Sequence, residues 1–148
     1  MKNILFVADP LDHFKIYKDT TFSMMREAQR RGHRIAACLP QDLQWVSGGK
    51  VTATVRQVTL TGDPKDWYAV DIVESKALAD FDAVLMRKDP PFDAEYIYAT
   101  HLLEQAEREG ARVVNKPRAL RDHPEKLAIM EFCLLYTSDA ADEGLGVD

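Results

Sequence analysis

The chain has 148 residues, the length of one ordinary domain. Hydrophobic residues make up 46% of it and charged residues 29%, which excludes the class of disordered chains with few apolar side chains. The formal net charge of -5 gives no electrostatic reason to expect nucleic acid as a partner.

The first apolar run, Ile4 to Ala8, is interrupted by Asp9 and Pro10. It is too short for the core of a signal peptide and much too short to cross a bilayer. The two cysteines, Cys38 and Cys133, are too few for a disulfide framework, and Cys38 lies in an apolar run typical of a buried segment. We therefore expect a protein of the reducing cytoplasm.

The first forty residues have the pattern of a β-α-β unit. A continuous apolar run predicts a strand over Asn3 to Ala8, and a one-sided apolar pattern predicts a helix over Thr21 to Arg31. Gly32 is placed to end that helix, and His33 to Leu39 is predicted to form the second strand.

The residue pattern changes in the middle of the chain. Gly48 and Gly49 separate residues 43–46 from residues 50–58, where β-branched and polar side chains roughly alternate. This pattern predicts an inserted β-hairpin. The following segment, from Trp67 to Ala79, is ambiguous between a loop and a short helix.

The second half alternates again between strand and helix, predicted over Phe81 to Met86, Asp93 to Glu109, Arg112 to Asn115 and Asp122 to Phe132. Asp93 is a predicted N-cap, and Asp122 and Glu125 have the spacing of a capping box. The whole order predicts an α/β fold: a Rossmann-like, mostly parallel sheet with helices on both faces and one inserted hairpin.

Ligands of open α/β sheets bind beyond the carboxyl ends of the strands. Here polar, proline-containing segments follow three predicted strands, beginning at Asp9, at Arg87 and at Asn115. The segment Asp89-Pro90-Pro91 is stiff, because proline fixes its own φ and restricts the residue before it.

A rigid bend of this kind can hold Arg87 and Lys88 toward a carboxylate or phosphate. The alternative is an ordinary charged loop in which these cations pair with Asp89, Asp93 or Asp9.

A second polar loop precedes the first helix and contains Lys15, Lys18 and Asp19. Its lysines could meet an anion together with the N-terminal amides of the helix, or they could be solvated surface. Residue spacing leaves both interpretations open.

Two phosphate-binding motifs are absent: no G-x-G-x-x-G follows the first strand, and no G-x-x-x-x-G-K-[ST] occurs. The four histidines lack metal-ligand spacing, so no metal site is predicted.

Several strings resemble the N-terminal domain of bacterial glutathione synthetases, and the resemblance runs in order from about Met1 to Leu127. The most specific string is MRKDPPFD, followed by YAT and NKP; others are KDTTFSMMREAQRRGH, WVSGG, VVNKPRALRD and EKL. The resemblance implies a Rossmann-like domain that precedes an ATP-grasp portion.

The activity implied by the resemblance is ligation of γ-glutamylcysteine to glycine with ATP and Mg²⁺. In that family the carboxylate of the dipeptide is phosphorylated, and the glycine amine attacks the acyl phosphate. Residue by residue, the resemblance places five side chains on the substrate side of the cleft: Lys18, Asp19, Arg87, Lys88 and Asp89. Lys126 matches a lysine that reaches toward the nucleotide, and no catalytic or metal residue is carried over.

The resemblance ends at about Phe132. We expect residues 1–122 to form the family domain and residues 123–132 to begin the link to an ATP-grasp portion. Residues 133–148, which contain CLLYTSDAADE, resemble translated adapter read-through rather than native sequence; a genuine linker is the alternative.

The 148 residues are accordingly expected to be an inactive fragment of the ligase that does not bind ATP or Mg²⁺ tightly. Two other interpretations stay open: a free-standing small-molecule binding module of flavodoxin-like topology, and an oligomerisation unit that uses the hairpin and the Asp93 helix.

Overall fold

The computed structural model describes residues 1–124 and Met130. Over residues 1–124 it contains strands β1 (Asn3–Val7), β2 (Arg34–Cys38), β3 (Leu43–Gln44), β4 (Thr52–Leu60), β5 (Tyr68–Ala77), β6 (Ala83–Met86) and β7 (Val113–Val114). The α-helices there are α1 (Thr20–Arg30), α2 (Ala94–Arg108) and α3 (Pro117–Asp122).

All the strands belong to one sheet, whose central part is parallel. Strands β2, β1, β6 and β7 lie side by side in that order and run in the same direction. Strand β4 pairs antiparallel with β2, and β3 and β5 each pair antiparallel with β4. The expected parallel sheet with an antiparallel insertion is confirmed.

Helices cover both faces of the sheet, as the sequence predicts. Met25 and Ala28 of α1 belong to a core with Phe6 and Ile35 on one face. On the other face, α2 contributes to a second core whose buried side chains include Leu5, Val84, Leu103 and Ala106. Burial of apolar side chains on both faces explains why β1 is an unbroken hydrophobic run.

The insertion is larger than the sequence predicts. The segment that was ambiguous between loop and short helix is the ten-residue strand β5, which pairs with β4 along its whole length. Seven consecutive residues of β5 are exposed, so no buried face imposes a clear alternation of apolar and polar side chains. A register shift between Gln57 and Val58 of β4 also interrupts the regular pairing of β4 with β5, and with it any alternation of side chains along β5.

The helix boundaries follow local capping chemistry. Asp93 accepts a hydrogen bond from the backbone N–H of Tyr96 at 2.9 Å, which confirms it as the N-cap of α2. Helix α3 was not predicted; it begins at Pro117, whose fixed φ suits the first helical position. Asp122 is the last residue of α3 rather than the start of a new helix, and the predicted helix to Phe132 lies largely outside the described residues.

Cys38 lies in β2 and is 2% exposed, as the apolar run around it predicts. Burial, together with the nearby Asp42 carboxylate, raises the pKa of its thiol to about 12. No helix within the described residues has both the length and the apolar character that a membrane crossing needs.

Candidate functional site

Three polar segments meet at one edge of the sheet. Val7, the last residue of β1, lies opposite both Cys38 of β2 and Met86 of β6, and Leu85 lies opposite Val114 of β7. Because these strands are parallel and end at the same level, the segments that begin at Asp9, Arg87 and Asn115 are neighbours. The prediction that these segments follow strands of a mostly parallel sheet is confirmed.

The bend after β6 is fixed to the end of β1 by a carboxylate. Asp9 Oδ1 lies 2.9 Å from Lys88 Nζ, and Asp9 Oδ2 accepts a 2.9 Å hydrogen bond from the backbone N–H of Asp89. Lys88 Nζ also donates to the carbonyl oxygen of Asp89 at 2.6 Å. The Pro90–Pro91 peptide bond that follows is cis. Asp9 and Lys88 thus hold the bend in one conformation.

Arg87 contacts a different element, the first turn of α1. Its Nε lies 3.2 Å from Thr21 Oγ1, and its Nη2 donates to Thr20 Oγ1 at 2.9 Å. Thr21 is 4% exposed, which limits the freedom of that hydroxyl. Within residues 1–124 no carboxylate pairs with the Arg87 guanidinium, so its positive charge is not compensated there.

Asp19 determines where α1 begins. Its Oδ1 accepts a 2.9 Å hydrogen bond from the backbone N–H of Phe22, so it is the N-cap of the helix. The same cap places Thr20 and Thr21 in the first turn, where they meet Arg87. The carboxylate that the resemblance placed in the substrate cleft is therefore engaged with the helix backbone.

Two cavities of about 380 Å³ each open beside the bend. The first is lined by side chains that include Arg87, Lys88, Asn115 and the aromatic residues Phe92 and Tyr96. The second lies at the start of α1 and is lined by His13, Lys15, Lys18, Asp19, Thr20 and Thr21. Asp89 lines both, so the two cavities adjoin at this carboxylate.

The carboxylate of Asp89 is exposed. Its backbone amide and carbonyl are engaged, but within the described part of the chain its carboxylate oxygens accept no hydrogen bond. The edge of the sheet therefore presents an anionic side chain between two cavities that also contain cations.

Residues 1–121 match the family model described as prokaryotic glutathione synthetase, N-terminal domain. The chain belongs to this family. The glutathione synthetase of Ralstonia nicotianae is 57% identical over 129 residues, which cover 87% of this chain. That of Nitrosomonas europaea is 52% identical over 132 residues, again 87% of this chain.

The chain spans 40% of the length of the Ralstonia glutathione synthetase and 41% of that from Nitrosomonas. It therefore corresponds to the N-terminal part of these relatives. The family match ends one residue before the predicted domain boundary at Asp122, and that boundary stays a prediction.

The structure brings Lys18, Asp19, Arg87, Lys88 and Asp89 to one edge of the sheet, around the two cavities. Lys126 and residues 133–148 lie outside the described residues. Within residues 1–124 and Met130, no group of three or more His, Cys, Asp or Glu side chains is arranged to hold a metal ion.

Thr20 and Thr21 were not predicted as partners of Arg87. Sequence reasoning missed them because the contacts span 67 and 66 residues. No local pattern marks a hydroxyl that pairs with a distant arginine. The only available signal was their position directly after Lys18 and Asp19, before a predicted helix.

Proposed function

We propose that this chain is the substrate-side domain of a glutathione synthase, the ligase that joins γ-glutamylcysteine to glycine with ATP and Mg²⁺. The observation that carries the proposal is the cationic bend at Arg87 and Lys88, which lies at the carboxyl ends of parallel strands and beside a cavity of about 380 Å³. Membership of the family supports the choice of reaction.

The substrate chemistry matches the charges along the edge. At neutral pH γ-glutamylcysteine carries two carboxylates and one ammonium group. Cations at Arg87 and at Lys18 line separate cavities, and the exposed carboxylate of Asp89 lies where the cavities adjoin. In our proposal each cation meets one carboxylate, while Asp89 meets the ammonium group.

We propose that the groups that hold the metal and the phosphates lie outside residues 1–124 and Met130. The described part of the chain has no cluster of metal-ligating side chains, and the sequence has no G-x-x-x-x-G-K-[ST] loop. We therefore propose that this domain binds and orients the dipeptide, and that ATP and Mg²⁺ are bound mainly by other parts of the full-length enzyme. Lys126 is our proposed contribution from this chain toward the nucleotide.

The contribution of this domain to the reaction is then positioning. Arg87 and Lys18 would orient the dipeptide and reduce the repulsion between its carboxylates and an incoming phosphate group. Because these cations are held at defined positions before the substrate arrives, less reorganisation is needed on binding.

Calorimetric titration of the 148-residue chain with γ-glutamylcysteine tests the proposal. We expect saturable binding that weakens as salt is added, and much weaker binding of the analogue in which both carboxylates are amides. Equal binding of the two ligands, or heat from neither, would contradict the proposed substrate site.

An activity assay tests the proposal that ATP and Mg²⁺ are bound mainly by other parts of the full-length enzyme. The 148-residue chain with γ-glutamylcysteine, glycine, ATP and Mg²⁺ should release no phosphate above the blank. Turnover would mean that this chain contains the activating residues.

We also propose that the full-length enzyme forms a homo-oligomer through the inserted hairpin and α2. Trp45 and Val46, which follow β3, are 46% and 73% exposed, and Tyr98 on α2 is 63% exposed. Exposed aromatic side chains of this kind are enriched at protein interfaces. Sedimentation velocity of the 148-residue chain should show self-association that Trp45→Ser weakens; a strict monomer at high concentration would contradict this proposal.

A further inference from the structure

The two neighbouring cations of the bend have different electrostatic surroundings. The ammonium group of Lys88 lies 2.9 Å from an oxygen of Asp9, and the side chains of these two residues are 23% and 27% exposed. Screening by water is reduced for a pair with this burial. The charge of Lys88 is therefore largely compensated inside the protein.

Removing Lys88 from this position would break several contacts at once. Its ammonium group also donates to the carbonyl oxygen of Asp89, and the same Asp9 carboxylate accepts the backbone N–H of Asp89. If Lys88 turned toward a substrate, Asp9 would lose its counter-ion while half-buried, which is energetically costly. Lys88 is thus suited to fixing the bend and poorly suited to binding a ligand.

The charge of Arg87, unlike that of Lys88, is not compensated by a carboxylate within residues 1–124. Within the same residues its guanidinium donates to the hydroxyls of Thr20 and Thr21, which orient it without neutralising its charge. A guanidinium has five N–H donors in a rigid fork. The two hydroxyls leave donors on this fork for a ligand, and Arg87 lines the first cavity.

We infer that Arg87 is the cation that binds a substrate carboxylate, whereas Lys88 and Asp9 form a positioning pair that holds the bend. The inference rests on the proposed function, because it assigns one group within that site. Arg87 would present a planar fork to the carboxylate, and two parallel N–H···O bonds would fix the orientation of the dipeptide.

A matched pair of charge-preserving variants of the 148-residue chain tests the assignment. Arg87→Lys keeps the charge and loses the fork, so the Kd for γ-glutamylcysteine should rise about tenfold. Lys88→Arg keeps a cation beside Asp9, so the Kd should stay within about twofold of the parent value. Far-UV circular dichroism of both variants checks that they are folded.

The outcomes separate this inference from the proposed function. Weaker binding by Lys88→Arg together with unchanged binding by Arg87→Lys would overturn the assignment and leave the substrate site standing. Unchanged binding by both variants would overturn the role of Arg87. Failure of the parent chain to bind γ-glutamylcysteine would overturn the proposed site, and with it the assignment of Arg87.

A second measurement tests the positioning pair without any substrate. Acetylation by acetic anhydride, followed by peptide mapping, should modify Lys88 at least about tenfold more slowly than the exposed Lys50, because an ion-paired, half-buried amine is a poor nucleophile. In Asp9→Asn the acetylation rate of Lys88 should rise toward that of Lys50. Equal rates in the parent chain would overturn the positioning role, whatever the binding experiment shows.

Discussion

Replacing Asp19 should destabilise the domain through the loss of a helix cap rather than through the loss of a charge. The side chain of Asp19 accepts the N–H of Phe22 at 2.9 Å. Asp19→Ala leaves that N–H without its partner at the start of α1, at a cost of about 1 kcal/mol. For a domain of this size, such a loss lowers the Tm by roughly 3 to 6 °C.

The matched control is Asp19→Asn, because asparagine caps a helix about as well as aspartate. It removes only the attraction between the negative charge of this half-buried side chain and the helix N-terminus, about 0.5 kcal/mol. Urea unfolding followed by circular dichroism at 222 nm measures both variants. The slope of the free energy of unfolding against urea concentration should be the same in both variants and the parent chain. A shift in the midpoint urea concentration then reports a change in stability alone.

The ranking of the variants decides the role of Asp19. If Asp19→Ala unfolds at the same urea concentration as the parent chain, the Asp19 cap contributes nothing to stability, which contradicts the prediction. If Asp19→Asn is as unstable as Asp19→Ala, then the charge of Asp19 is what stabilises the domain. The first turn of α1 also carries Thr20 and Thr21, so Asp19→Ala should weaken γ-glutamylcysteine binding through Arg87 as well.

Three further predictions concern stability and reactivity. Leu103→Ala, at a side chain that is 0% exposed, should lower the free energy of unfolding by about 2 to 5 kcal/mol. Tyr98→Ala, at a 63% exposed side chain of the same helix, should change it by less than about 1 kcal/mol, and equal losses in urea titrations would contradict the packing of α2. A hydrogen bond from Lys2, and after it one from the backbone N–H of Asn3, lowers the pKa of Asp82, so its contribution to stability is present above about pH 4 and is lost as the pH falls through that lowered pKa. Asp82→Asn should therefore lose less stability than the parent chain as the pH falls below about 4, and an unchanged pH profile would refute this. Cys38, with its thiol pKa raised to about 12, should resist iodoacetamide at pH 8 until denaturant is added, and rapid labelling of the native chain, located by peptide mapping, would contradict its burial.

Elements with a complete local signal could be predicted from the sequence. Strand β1 is an apolar run because it is covered on both faces. Helix α2 has a capping aspartate, Asp93, and its C-cap Glu109 is followed by Gly110, whose φ of 101° favours glycine. Strand β5 carries no such signal, since most of its residues are exposed and its partner strand has a register shift. Helix α3 has six residues, too few to show a helical period, so the sequence pattern does not predict it.

The candidate site was predictable in location but not in detail. Rules for parallel sheets place ligands at the carboxyl ends of strands, and the bend at Arg87 lies there. The sequence offered pairing of Lys88 with Asp9 as one of several alternatives, and the structure selects it. The contact of Arg87 with the threonines of α1 depends on how β1, α1 and β6 pack together, which no local pattern encodes.

The most direct test of the central claim is an experimental structure of the 148-residue chain with γ-glutamylcysteine bound. We predict that a carboxylate of the dipeptide lies within about 3 Å of the Arg87 guanidinium, in the cavity lined by Arg87 and Asn115, while Lys88 stays paired with Asp9. A dipeptide bound away from this edge of the sheet, with no contact to Arg87, would contradict the account.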